Sequence, residues 1–481
     1  MTTLTELAPS LPAAGDRLSA LPVAIIGAGP VGLAAAAHLH ERGIPFVVFE
    51  RGAVVGAAVR EWGHTRLFSP WEHLVDDAAA RLLAGTGWEA PAAGRAPSGS
   101  ELIDEYVAPL AAHPAIAPAI RSGVEVVAVT REGMDRTRTA GRAAAPFALR
   151  LRLADGTVVD ETARAVIDAS GTWGQANPLG SGGLEPLGWE DVADRVLPAL
   201  PDVLGADRAR FAGRHTTVVG AGHSAANTLL ALSRLAEDEP GTRVTWLIRG
   251  AAAQRISTDG DELPDRGSLG TRLQRRVRDG RIAQVDRFEI LRAESNGEGV
   301  RLHGRRGGEA ATHDTDLVVV ATGFRPELGM LRELRLDLDE VVEAPRALAP
   351  LIDPNEHSCG TVRPHGYREL THPEQGFFIV GMKSYGRAPT FLLKTGYEQV
   401  RSVVAWLAGD SAAAERVELV LPETGVCSTS SADGGDCCGP VVAKSPQPIT
   451  LQAPAGLTLL PLAGASAGGS CGVDSADGCC G

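Results

Sequence analysis

Apolar residues along this chain come in short solid runs, separated by longer stretches where apolar and small residues recur with a helical period. The run 22–27 (PVAIIG) is bounded by glycine and reads as a strand buried on both faces of a parallel sheet. It leads into Gly29-Pro30-Val31-Gly32 and an Ala/Leu-rich segment that lasts to Arg42-Gly43, where Gly43 suits a helix C-terminus. The run 45–49 (PFVVF) is a second strand, so about thirty residues spell strand, helix, strand. The pattern starts again at Thr216: a strand at 217–219, a turn at 220–225, a helix at 227–235 and a strand at 244–248. Strands at 124–129, 147–153 and 166–169 are expected to fill the first domain, and 317–321 to close the second. A helix over 390–407 ends the folded body. Beyond Gly409 the chain turns rich in Gly, Ser, Ala and Pro and loses its period.

The prediction is an α/β fold with one domain inserted in another. An arm covers 1–20, the outer domain 21–205 and 323–410, the inserted domain 206–322, and a flexible Cys-rich tail 411–481. Charge narrows the partners. The formal net charge of −13 argues against nucleic acid and against an anionic membrane surface. No apolar run has the length of a membrane span or the pattern of a signal peptide, so a cytoplasmic protein is expected. Of seven cysteines, only Cys359 lies in the body; Cys427, Cys437, Cys438, Cys471, Cys479 and Cys480 are all in the tail. The body is built without disulfides.

The two repeats carry glycine fingerprints. In Gly27-Ala28-Gly29-Pro30-Val31-Gly32, the first glycine permits the tight turn, the second lets backbone approach a pyrophosphate, and the third lets helix and strand pack closely. The helix start presents unpaired N–H groups to the phosphates. Glu50, at the end of the next strand, is placed to accept ribose hydroxyls. In Gly220-Ala221-Gly222-His223-Ser224-Ala225 the following strand ends in Ile248-Arg249, without the acid that would repel a 2′-phosphate. That predicts an NADPH site with Arg249, and Arg255 as a second candidate, on the phosphate. His223 has no His or Cys neighbour at ligand spacing and reads as part of the pyrophosphate loop. Two Rossmann-type units in one chain imply hydride transfer from nicotinamide to a flavin.

Residues 21–409 resemble the two-dinucleotide-binding-domain flavoproteins, which include flavin-containing monooxygenases and thioredoxin reductases. The resemblance rests on Gly27–Gly32 with Glu50-Arg51, Asp168-Ala169-Ser170-Gly171-Thr172-Trp173, Gly220–Ala225 and Ala321-Thr322-Gly323-Phe324. It implies FAD in the first domain and NADPH in the second, with Gly171 and Gly323 at the two crossovers. Ser170 stands where the family has Thr. The segment 377–381 (FFIVG) resembles the strand that returns under the flavin, but Met382 replaces the usual Asp, which points instead to backbone near Gly381 and to 383–387 (KSYGR). Glu61-Trp62, ahead of Phe68-Ser69-Pro70-Trp71, resembles Trp-containing loops over the flavin of N- and S-oxygenating enzymes. The Baeyer–Villiger fingerprint is only partly echoed at 211–215 (FAGRH), and that activity is discounted.

Cysteine placement chooses among branches. A disulfide reductase of this kind needs a Cys pair against the flavin, and 206–322 contains no cysteine. That favours reaction of reduced flavin with oxygen, through a flavin hydroperoxide, with Arg387, Lys383 and Tyr385 as the catalytic candidates and Trp62 walling the site. The tail repeats one unit: Cys427 precedes 431–439 (SADGGDCCG), and Cys471 precedes 475–481 (SADGCCG). Each unit offers three thiols without a histidine, which suits a soft three-coordinate ion such as trivalent arsenic better than zinc. Such tails resemble those of the trivalent-arsenic flavin monooxygenases of arsenic resistance. The expected function is therefore NADPH- and FAD-dependent oxygenation of arsenite or an organoarsenical captured by the tail cysteines. Two alternatives stay open: N- or S-oxygenation of an organic substrate, and a flavin-dependent thiol or metal-ion reductase using the tail as relay. A nucleotide-binding chaperone or sensor is the non-enzymatic reading.

Overall fold

The computed structural model describes residues 14–252, 264–353, 362–389 and 391–419. Two parallel sheets organise them on one plan. In the first, β1 (Val23–Ile26) lies between β2 (Phe46–Glu50) and β7 (Ala165–Asp168). With β3 (Ile120–Ser122) and β16 (Phe377–Ile379) at the edges, the order is β16-β7-β1-β2-β3. Val23 stands opposite Phe46 and Ala165, Ile26 opposite Phe49 and Asp168. In the second, β9 (His215–Val219) takes the central place, beside β10 (Arg243–Leu247) and β15 (Leu317–Val320). Here β11 (Ala283–Val285) and β8 (Val196–Leu197) are the edges, in the order β11-β10-β9-β15-β8. Each unit adds a three-stranded antiparallel sheet: β4 (Val124–Arg131), β5 (Phe147–Leu153) and β6 (Val158–Ala163) in one, β12 (Phe288–Ser295), β13 (Val300–Arg306) and β14 (Glu309–Thr315) in the other.

The solid apolar runs follow from this layering. Alternate residues of a strand face opposite sides. Val23 and Ile25 face a helical layer with Leu33, Val400 and Val404, while Ala24 and Ile26 face Val126, Phe147 and Leu149 of the antiparallel sheet. In the second unit Val218, Trp246 and Val319 pack on Leu229, Leu232 and Leu273, and Val219, Leu247 and Val318 on Phe288, Ile290 and Leu302. Both faces of both parallel sheets are covered, so the central strands are almost wholly buried, Thr216, Thr217 and Thr245 included.

The strands near 124 and 147 fill the first domain as expected, as a separate antiparallel layer with β6. Several other expectations change. A boundary at 205/206 is too late, because β8 at 196–197 pairs with β15 in the second sheet. The arm contains a helix, Ala14–Ala20, and the segment assigned to the tail begins with a helix, Ser411–Glu415. That helix is fastened to the body: Ser402 Oγ donates to the Ala414 carbonyl at 2.6 Å and Arg401 Nη1 to that of Ala413 at 2.8 Å. A buried triad ties the antiparallel layer to the returning chain. Glu374, 2% exposed, accepts from Arg131 and Arg142 at 2.7 Å each. The pairing of all three groups is what makes charge tolerable there.

Candidate functional site

In the first unit the helix Pro30–Glu41 begins directly after β1 and the turn 27–29. Gly27 has φ +100°, and a Cβ there would lie 2.8 Å from the Ala169 carbonyl oxygen; a Cβ on Gly32 would lie 2.0 Å from that of Gly27. Both positions exclude any other residue. At Gly29 an added Cβ would meet nothing within 4 Å and would stand in the cradle before the helix start. An anionic group in that space would face the N–H groups and the positive end of the helix dipole. Pro30 occupies the first helical turn, where a missing N–H costs no bond. Glu50 is fixed at the rim: its Oε2 accepts from Ala28 N at 2.8 Å and its Oε1 from Gly52 N at 2.7 Å. A carboxylate has about four acceptor sites, so capacity remains for a sugar hydroxyl. Arg51 is exposed and its guanidinium lies beside Gly174.

The second cradle repeats the first. Gly220 has φ +139°, and a Cβ would lie 2.0 Å from the Ala321 carbonyl oxygen; at Gly222 it would meet nothing within 4 Å. The helix His223–Asp238 starts there, four residues earlier than its period predicts. Ala225 is buried in the core, and the Ser224 carbonyl accepts from Thr228 Oγ1 at 3.0 Å. The His223 ring lies 5.3 Å from that of Phe68, a residue of the first unit. Arg249 is exposed at the rim and donates to the Ser181 carbonyl at 2.9 Å. Arg255 lies outside the described residues.

Between the cradles the two crossovers run side by side. Asn177 N donates to the Gly323 carbonyl at 2.9 Å, Thr322 Oγ1 to the Asn177 carbonyl at 2.7 Å, and Arg325 N to the Gln175 carbonyl at 3.0 Å. An aromatic wall stands over them. Trp173 follows Gly171 and Phe324 follows Gly323, and their rings are 4.9 Å apart; Trp62 is 6.3 Å from Trp173. The Trp173 indole donates to Glu61 at 2.6 Å, which fixes its orientation.

The three catalytic candidates fall in different surroundings. Lys383, expected as a donor to reacting oxygen, gives its protons elsewhere: its side chain and that of Asp168 are both 0% exposed and 2.7 Å apart. It also donates to Ser170 Oγ at 3.0 Å, and Ser170 Oγ donates to the other Asp168 oxygen at 2.6 Å. The three close a ring joining the end of β7 to the turn after β16. Tyr385 is buried between His365 and Phe391, with ring separations of 5.7 and 5.1 Å, and burial pushes its hydroxyl well above its ordinary range. Arg387 is exposed. Gly381 is packed on Val31 at the start of the first helix, but its N–H donates to Gln399 Oε1 at 2.7 Å, so that backbone donor is committed within the protein. Gln399, His365 and Asn177 carry no motif, and nothing in the sequence pointed to them.

The six tail cysteines and Cys359 lie outside the described residues. Among the described residues no group of three His, Cys, Asp or Glu side chains is placed to hold a metal ion, and no helix is long and apolar enough to cross a membrane.

Comparison with known proteins agrees with this geometry. Residues 24–139 match the pyridine nucleotide-disulphide oxidoreductase family. No curated protein matches the chain in sequence. A bacillithiol disulfide reductase from Bacillus cereus is similar in structure, with a TM-score of 0.59 at 20% identity over 81% of this chain and 99% of that one. An FAD-bound cadaverine monooxygenase of desferrioxamine biosynthesis from Erwinia amylovora gives 0.58 at 13% identity over 84% and 99%. A variant of a flavin monooxygenase from Stenotrophomonas maltophilia gives 0.51 at 25% identity over 80% and 99%. The chain thus has the architecture of a two-dinucleotide-binding-domain, FAD-dependent oxidoreductase.

Proposed function

We propose that this chain is a monooxygenase that passes electrons from NADPH to FAD and oxidises a trivalent arsenical, either arsenite or an organoarsenical, captured by the tail cysteines. The observation that carries the oxygenase half is the placement of sulfur. Before Cys427 the chain has a single cysteine, so no thiol pair is available in the body to take electrons from a flavin. FAD fits the first cradle, with its pyrophosphate at Gly29 and the helix start and a ribose at Glu50. NADPH fits the second, with the exposed Arg249 at its rim to pair with a 2′-phosphate. Bound FAD supplies two-electron acceptance from nicotinamide and delivery to oxygen. One oxygen atom goes to the substrate and the other leaves as water. The protein's own part is positional. The Asn177–Thr322 contacts hold the crossovers together, and Trp62, Trp173 and Phe324 exclude water from the joint.

The arsenical half rests on chemistry legible in the sequence, three thiols per repeated tail unit and no histidine. A second reading has its own support. Three aromatic faces beside the exposed Glu61 carboxylate suit an organic cation, which favours N-oxygenation of an amine. The third, a thiol or metal-ion reductase, would run without oxygen. NADPH oxidation screened against arsenite, methylarsenite, antimonite, lysine, ornithine, cadaverine and simple thioethers separates them. Stimulation by trivalent arsenicals, with oxygen consumed and a pentavalent product formed, is the expected result. Stimulation by amines alone transfers the reading to N-oxygenation, and anaerobic turnover with a disulfide or Hg(II) transfers it to the reductase.

A further inference from the structure

Behind the turn that follows β16 lies a second buried polar network, independent of the Lys383 ring. Gly381 has φ +69°, and a Cβ there would lie 3.3 Å from both methyl carbons of Val31, the second residue of the first cradle's helix. Any other residue would be strained at this φ and would crowd the Val31 methyls. The backbone of Gly381 is held at both ends. Its N–H donates to Gln399 Oε1 at 2.7 Å, and its carbonyl accepts from Ser384 Oγ at 2.7 Å. Gln399 Nε2 meets Ser384 Oγ at 2.9 Å and His365 Nε2 at 2.9 Å.

The protons in this network are determined. His365 Nδ1 lies 3.0 Å from the Arg363 carbonyl, a contact only an N–H can make. Its Nε2 must then accept from the Gln399 amide, so the ring is neutral and its tautomer fixed. The amide is fixed as well, because the reversed orientation would set its NH₂ against the Gly381 N–H. Gln399 and Ser384 are 0% exposed and His365 2%. A fully bonded network in such a place specifies one backbone geometry, and the geometry specified here is the Gly381 turn against the helix start.

We infer that Gln399 and His365 are positioning residues for the flavin, holding the Gly381 turn in the one shape that completes the first cradle. The inference rests on the reading of that cradle as the FAD site. Its test uses the full chain and the variants Q399A, Q399E and H365N. FAD dissociation constants, the flavin midpoint potential and thermal unfolding of the FAD-free protein are measured for each. Q399A is expected to weaken FAD binding about tenfold, the equivalent of one lost buried hydrogen bond, and to shift the potential while the apoprotein still unfolds cooperatively.

Q399E gives the readout that a merely structural role would not move. The introduced carboxylate still accepts from Gly381 N–H but has nothing to donate to Ser384 or to neutral His365. Protonating His365 restores the lost bond. The carboxylates facing that ring are Glu369, on its own segment, and Glu398, on the helix Leu393–Leu407; the Tyr385 ring is its aromatic neighbour. FAD affinity of Q399E therefore rises as pH falls, while the wild type stays flat, and H365N combined with Q399E abolishes the response. Wild-type affinity and potential in Q399A, or weak binding in Q399E that ignores pH, would overturn the inference. Should Q399A fail to fold, the pH profile of Q399E decides. A wild-type protein that binds no FAD would instead sink the cofactor reading itself.

Discussion

The two cradles share one strand order and one glycine geometry, yet their surroundings are held in opposite ways. At the first, Glu50 is tied by two backbone N–H groups, and the end of β7 is locked to the return turn by the Asp168–Ser170–Lys383 ring. At the second, the corresponding rim residue is Arg249, exposed, and among the described residues it donates to the Ser181 carbonyl. Its edge strand β8 is a two-residue segment that arrives ahead of the unit's central strand, whereas the first unit's edge strand β16 follows its own. On the proposed reading, the rim tied by its own backbone serves the flavin and the exposed arginine rim serves the nicotinamide carrier. On this account disruption at the first cradle should cost stability as well as binding, and disruption at the second should cost binding alone.

The largest effect is expected at Lys383. K383M leaves the buried Asp168 carboxylate without its cation, which should destabilise the fold by about 3–5 kcal/mol and empty the flavin site. Urea unfolding checks this, and the combination with D168N should recover part of the loss. A change below about 1 kcal/mol would mean the ring holds nothing. Next comes acid. His372 is 3% exposed, and burial lowers its pKa from 6.5 to about 4. Its Nδ1 accepts from Asp337 N at 3.3 Å, which an imidazolium cannot do. A depressed histidine favours the folded state fully above the unfolded pKa. That contribution is lost as pH falls from 6.5 toward 4, by up to about 3 kcal/mol. His313 of the second unit is shifted the same way, also by burial first, so acid loosens both units. H372Q should flatten the unfolding-versus-pH profile by the share belonging to the first.

Smaller changes sharpen the contrast between the rims. E50Q keeps one acceptor but turns its NH₂ onto one of the two backbone N–H groups that Glu50 satisfies, so it should weaken FAD binding about tenfold and also cost about 1 kcal/mol of stability, as titration with free FAD and urea unfolding would show. R249A should raise the KM for NADPH about tenfold and leave that for NADH unchanged, erasing the preference. Equal effects on both nucleotides would remove Arg249 from the phosphate.

Legibility in the sequence followed local chemistry. Both strand-turn-helix units were readable because a glycine motif (three glycines in the first, two in the second), a solid apolar run and a rim residue all lie within a few dozen positions. The insertion was readable from the repeat of that pattern. Of the antiparallel layers, the strands at 124–129 and 147–153 were readable; 158–163 and 309–315 were not, since they are largely exposed and carry no solid run. The short edge strand 196–197 has too few residues for any period. At the site, Lys383 was singled out by type and position, but its partner could not be, because the pairing spans 215 residues. Gln399 was invisible for the same reason: its role is set by what the fold brings to it.

The central claim is that a nicotinamide at the second cradle reduces a flavin at the first. The direct measurement is anaerobic mixing of the purified protein with NADPH while its visible spectrum is followed. A yellow protein that bleaches with NADPH, more readily than with NADH, and regains its colour on admission of oxygen is the predicted result. A colourless protein, or a flavin band that NADPH leaves untouched, would contradict it.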